Sequence, residues 1–217
     1  RCNGALRYTI QATSWAASGQ GNGSYVYRVE ACNVGGCGAW GSTGTTTVLL
    51  PPASAPSLTV PASNATGSYT VSWGTVSTAT SYTLQRSIDS GGWSTVQSGS
   101  ATNWAASGQA TGTYGYRVQA CNASGCGPWS GTGTTNVLLP PGSAPSLSVP
   151  ASSTTGSYTV SWGSVATASS YTVQEHVNVR AWRPKQSSSA TSWSTSGKAT
   201  GSYGYRVQAC PASGWGP

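Results

Sequence analysis

Gly112-Thr-Tyr-Gly-Tyr-Arg-Val-Gln-Ala-Cys-Asn122 decides how this chain is read. Tyr114, Tyr116, Val118 and Ala120 fall on one side of an extended segment. Arg117, Gln119 and Cys121 fall on the other. A period of two with β-branched and aromatic residues is the pattern of a half-buried strand. The segment also recurs. Tyr27, Tyr116 and Tyr205 are each 89 residues apart, and Cys32, Cys121 and Cys210 keep the same step. So do Trp15, Trp104 and Trp193. Trp73 and Trp162, Trp93 and Trp182, and Pro56 and Pro145 follow it without insertion or deletion. A repeat of that length suits a self-contained domain rather than a solenoid unit.

Around this strand the middle copy divides into seven. Leu58–Val60 follows a Pro-rich entry. Tyr69, Val71 and Trp73 alternate with polar residues, as do Tyr82 and Leu84. Gly91-Gly92 is a turn signal before Trp93–Val96. Trp104 marks another strand, the quoted segment is the sixth, and Thr134–Leu139 is the last. Short strands with turns every ten or so residues predict a two-sheet sandwich. The expected units are 1–52, the back part of a first copy; 53–141, a whole copy; and 142–217, a third copy lacking its last strand. The fold class is therefore all-β, a tandem of seven-stranded sandwiches whose first and last copies are incomplete. Leu-Leu-Pro-Pro-Ala-Ser-Ala-Pro (49–56) recurs at 138–145 with Gly142 for Ala53, a short linker stiffened by proline. The expectation is a piece of a longer array.

Composition agrees and excludes alternatives. The chain has 217 residues, 6% of them charged, with 10 Trp, 11 Tyr, no Phe and no Met. Scarce helix formers exclude a helical bundle, and no apolar run approaches a membrane helix. Abundant rings argue against disorder, because their burial can offset chain entropy. The net charge is +7, but the basic residues are spread thinly, which disfavours nucleic acid as a partner.

Trp73, Tyr82 and the 112–122 segment together resemble a fibronectin type III domain. The resemblance implies that Tyr114 forms a tyrosine corner and that Trp73 fills the core. By repetition the expected core is Trp73, Tyr82, Trp104, Tyr114, Tyr116, Trp162, Tyr171, Trp193, Tyr203 and Tyr205. The Cys-Asn-x-x-Gly-Cys-Gly form resembles repeats of large secreted or surface proteins of bacteria, including the stalks of YD-repeat toxins. That implies a secreted or cell-surface spacer, with neighbouring repeats as its first partners. A polysaccharide or another surface protein is a further partner class. An adhesive or carbohydrate-binding accessory module is the alternative function, and self-association into a filament is compatible with the first.

Chemistry-bearing groups are few. Cys32 with Cys37 and Cys121 with Cys126 lie where two strands turn back on each other, so each pair is expected to form a disulfide and to imply an oxidising compartment. Zinc would need four ligands, and each copy offers two Cys. No cofactor is implied. Cys2 and Cys210 are left over, with Trp215 where a partner for Cys210 would stand. Arg28 with Trp40, and Arg117 with Trp129, are expected to stack on the sheet face. The tryptophans read otherwise as sugar platforms. Glu30, Asp89 and Glu175 fall in three different copies, so no carboxylate pair is expected, and no enzyme. Three glycosylation acceptor motifs, at Asn22, Asn64 and Asn122, read as chance.

One stretch departs from the repeat. Residues 53–85 and 142–174 agree at 25 of 33 positions, and 98–128 and 187–217 at 23 of 31. Between them, 86–97 and 175–186 agree at only 2 of 12. Arg180, Trp182, Arg183 and Lys185 lie here. They read either as a surface for an anionic partner or as drift at an exposed hairpin, with Pro184 requiring an edge position.

Overall fold

The computed structural model describes residues 10–178 and 180–212. Every described element is a strand. No helix of the described residues is long and apolar enough to cross a membrane. The first copy contributes β1 (Gly23–Val29), β2 (Cys32–Asn33), β3 (Gly36–Cys37) and β4 (Gly41–Val48). β1 and β4 pair antiparallel, as do β2 and β3.

The middle copy is a complete sandwich. Its strands are β5 (Leu58–Thr59), β6 (Ser63–Asn64), β7 (Tyr69–Trp73), β8 (Ser81–Ile88), β9 (Ser94–Gly99), β10 (Asn103–Ala106), β11 (Gly112–Asn122), β12 (Gly125–Trp129) and β13 (Gly133–Val137). One sheet runs β10-β7-β5; the other runs β6-β13-β11-β8-β9, with β12 also on β11. The two sheets face each other as a β-sandwich. The first expected strand, Leu58–Val60, is β5 and pairs with β7, while an additional short strand, β6, lies parallel to β13 in the other sheet. The expected last strand, Thr134–Leu139, is β13, and a separate strand, β12, precedes it on the same partner, β11. Neither β6 nor β12 carries the alternation by which the inner strands are read.

The core is what the alternation requires. Tyr69, Val71, Trp73, Tyr82, Leu84, Tyr114, Tyr116, Val118 and Ala120 are buried between the sheets. Trp104 is only half-buried and closes the edge against Tyr116. Tyr114 donates its hydroxyl to Ala110 O at 2.9 Å, four residues back, and Tyr25 and Tyr203 do the same to Gly21 and Ala199. The corner thus occurs in all three copies.

The third copy supplies β14 (Leu147–Ser148), β15 (Tyr158–Trp162), β16 (Ser170–Val177), β17 (Arg183–Ser188), β18 (Ser192–Thr195) and β19 (Tyr203–Cys210). Its sheets are β14-β15-β18 and β17-β16-β19. Trp162, Tyr171 and Tyr205 are buried, while Trp193 and Tyr203 are half-buried against them.

The β8–β9 turn differs from its sequence signal. Asp89 and Ser90, with φ of 48° and 62°, take the left-handed positions rather than Gly91 and Gly92. Gly91 N–H returns to Ile88 O at 2.8 Å, and the Asp89 carboxylate accepts from Thr113 N–H at 2.8 Å. That last bond offsets the strain of a left-handed Asp. Asn178 repeats the conformation with φ of 45° and the bond to Ser202 N–H.

Candidate functional site: a clamped joint, a stacked sheet face and two buried polar clusters

The linker between the first two copies is held from both sides. Leu50 N–H donates to Asn22 Oδ1 of the first copy at 2.5 Å. Leu50 C=O accepts from Asn122 Nδ2 of the middle copy at 2.8 Å. Ser124 Oγ donates to Leu49 C=O. Pro52 is fully buried. Gly127 lies so close beneath it that a Cβ there would come within 2.1 Å of Pro52 O. The linker therefore rests on the β11–β12 hairpin, and only glycine fits at 127.

That hairpin is closed by a disulfide. Cys121 and Cys126 are directly opposite in register and bonded, as are Cys32 and Cys37. A bridge across so small a loop stabilises by about 2 kcal/mol in the chain-entropy account. Its geometric effect matters more here, since it fixes the turn that presents Asn122 and Ser124. Glu30 lies near Cys32 and Cys37, but both sulfurs are oxidised and offer no thiolate to a metal.

The second joint repeats the bond on its near side. Leu139 N–H donates to Thr111 Oγ1 at 3.1 Å, as Leu50 does to Asn22. On the far side Pro211 stands where the middle copy has Asn122, and proline has no side-chain donor. Cys210 is a free thiol, half-buried. Cys2 and Trp215 lie outside the described residues, as do Arg1 and Arg7.

Asn22, Asn64 and Asn122 all use their side chains internally. Asn64 Oδ1 accepts from Thr66 N–H and Gly67 N–H, an Asx turn. The three acceptor motifs are thus places where asparagine serves the backbone.

Arg117 lies between two indoles, 4.4 Å from the Trp93 ring and 4.5 Å from Trp129. Gln85 Oε1 accepts from its Nε and Nη2. Arg28 sits 4.4 Å from Trp40, and Arg206 4.6 Å from Trp182. Trp93 as a second wall was missed at the sequence level. The shared 89-residue step of Trp93 with Trp182, and of Arg117 with Arg206, was the available signal.

The four residues read as one anionic-partner surface are divided by the structure. Trp182 is engaged by Arg206, and His176 meets it edge-on at 4.5 Å. Lys185 is paired with the buried carboxylate of Glu175 at 2.9 Å. Arg180 and Arg183 are exposed. Pro184 sits on an edge strand at a register shift, where a missing N–H is tolerated.

Glu175, a lone acid in the sequence of its copy, is surrounded by partners in the fold. It follows Tyr171 and Val173 on the inward face of β16 and is 3% exposed. Lys198 and Lys185 both pair with it, and Tyr205 donates its hydroxyl at 2.8 Å. Tyr158 and Tyr205 hydroxyls are 2.6 Å apart. Since Tyr205 donates to the carboxylate, Tyr158 donates to Tyr205. Burial works to raise the Glu175 pKa; the bonds from Lys198, Lys185 and Tyr205 outweigh it and hold the carboxyl below its ordinary value. Burial, with the bonds to Tyr158 and Glu175, pushes the Tyr205 hydroxyl far up. The middle copy has Arg86 at this place. It donates to Gln109 Oε1 at 2.8 Å beside the Tyr69–Tyr116 hydroxyl pair.

Six of the ten basic residues are therefore committed: Arg28, Arg117 and Arg206 to indoles, Arg86 to Gln109, and Lys185 and Lys198 to Glu175. The +7 charge does not gather into one free face among the described residues.

No protein-family model matches the chain, and no curated protein matches it. Among solved structures, the crystal structure of chicken CNTN1 FN1-FN3 domains is similar at 22% identity with a TM-score of 0.38. The match covers 89% of this chain and 72% of that one.

Proposed function

We propose that this chain is a non-catalytic, extracellular spacer array that holds or displays another domain at a set distance. The observation that carries this reading is the Leu50 peptide, bonded on one side to Asn22 and on the other to Asn122. A hinge would leave linker backbone to water; here both polar groups of one linker residue are taken by the domains it joins. The units 1–52, 53–141 and 142–217 belong to this proposal. So does a bacterial surface or secreted origin, which rests on the Cys-Asn-x-x-Gly-Cys-Gly form. Two disulfides fit an oxidising compartment.

Distance distributions between labels on the first and middle copies test the reading. A narrow distribution that broadens in N122A supports a spacer. A broad distribution in the unaltered protein overturns it.

The adhesive alternative, with polysaccharide as partner, has a narrower footing. Arg117 covers one face of both Trp93 and Trp129. Glycan-array binding that W129A abolishes while the fold persists would establish it.

A further inference from the structure

The divergent stretch 175–186 is compensated elsewhere in its own copy. Glu175 replaces Arg86, Lys198 replaces Gln109, and Lys185 replaces Val96, each 89 residues on. Positions 86 and 109 meet in the middle copy, and all three equivalents meet in the third. In the middle copy Arg86 donates to Gln109, and Val96 packs against the core. In the third, Lys198 and Lys185 both pair with Glu175. Val96 and Lys185 are each the residue skipped at a register shift, between Leu84 and Gln85 and between Val173 and Gln174. The bulge keeps both side chains at the same place. Residues 109 and 198 are fixed by the same device: their N–H groups donate to Gly67 O and Gly156 O at 3.0 Å. A Cβ on either glycine, with φ of +73° and +67°, would strike the backbone oxygen of residue 109 or 198. One scaffold thus carries two different polar sets.

The sets are contributed by two halves of each sandwich. Positions 86 and 96 lie on the early strands β8 and β9, and 109 lies beyond β10 in the later half. Adjacent copies that agree at 25 of 33 and 23 of 31 positions can exchange halves during folding, the characteristic failure of tandem repeats. We infer that the exchanged polar sets make the early half of each copy a fit only for its own late half. A hybrid of residues 53–99 with 189–212 would place half-buried Arg86 beside Lys198 with no carboxylate between them. Its necessary counterpart, 142–188 with 100–137, would leave buried Glu175 with Lys185 alone, the neutral Gln109 standing in place of Lys198. Unpaired or like charges at such a site are strongly disfavoured. The identity lost at 86–97 against 175–186 is then selected difference, and the identity kept elsewhere is the common core.

Single-molecule pulling of the full chain through repeated refolding cycles tests this. Misassembled neighbours unfold as one event releasing two copies of chain instead of one. In the unaltered protein such events should be rare. E175R/K185V/K198Q gives the third copy the middle set, and R86E/V96K/Q109K does the reverse. Each should raise the double-length events several-fold. The six-site variant that exchanges the sets between copies makes them different again and should return the frequency to that of the unaltered protein. Equal frequency in all four proteins overturns the inference. So does a six-site variant that misassembles, or fails to fold, as badly as the matched ones, because the changes would then act by destabilising each copy.

Discussion

Glu175 shows how one residue ties sequence to stability. A carboxylate at 3% exposure is tolerable only because two ammonium groups and a phenol hydroxyl face it. Its folded pKa lies below the ordinary 4.5, so its contribution is complete above that value and is lost as pH falls through the folded pKa. E175Q should destabilise the third copy by about 3 kcal/mol at neutral pH. The gap to the unaltered protein should close on acidification below 4.5, as denaturant titrations over a pH series would register. A gap independent of pH would mean that the ion pairs contribute nothing. Arg117 makes a second case. It meets two indoles where Arg206 meets Trp182, at roughly 0.5–1 kcal/mol for each stack. R117A should therefore lower stability more than R206A in thermal unfolding, and equal losses would count against the double stack.

At the scale of the element, the β11–β12 hairpin links a covalent bond to a joint. Opposed Cys121 and Cys126 hold the turn on which Asn122 and Ser124 reach the linker. C121S/C126S should cost about 2 kcal/mol. By loosening the Asn122 bond to its carbonyl, it should also free the Leu50 peptide from Asn22 and speed hydrogen exchange at the Leu50 N–H. Protection unchanged by the double substitution would separate the disulfide from the joint. Much of this level was legible in the sequence. Alternation over 69–73, 82–84 and 114–120 placed the inner strands because one face of each is buried. The edge strands were not placed as well. β5 and β6 belong to different sheets, and β12 and β13 are separated by a bend, because edge pairing depends on neighbours rather than on period. The turn at Asp89-Ser90 was masked by the glycines after it; its support comes from Thr113, a residue 24 positions away. Glu175 was unreadable for a similar reason. Its partners Lys185 and Lys198 are brought to it by a bulge and by a backbone clamp at Gly156.

For the whole molecule, the two joints differ in one residue that matters. The first is bonded from both sides, and at the position of Asn122 the third copy has Pro211, which cannot donate. The array should therefore bend more between the middle and third copies than between the first and middle. Converting Pro211 to Asn should narrow that difference in labelled distance measurements, and no change would show that Asn122 is not what sets the angle. Reach, in this account, is a property of peptide groups at joints as much as of the sandwiches between them. The most direct measurement is a set of amide residual dipolar couplings from the aligned full chain. Residues 23–48 and 58–137 should share one alignment tensor, and N122A should give them separate ones. Separate tensors in the unaltered protein would contradict a clamped first joint.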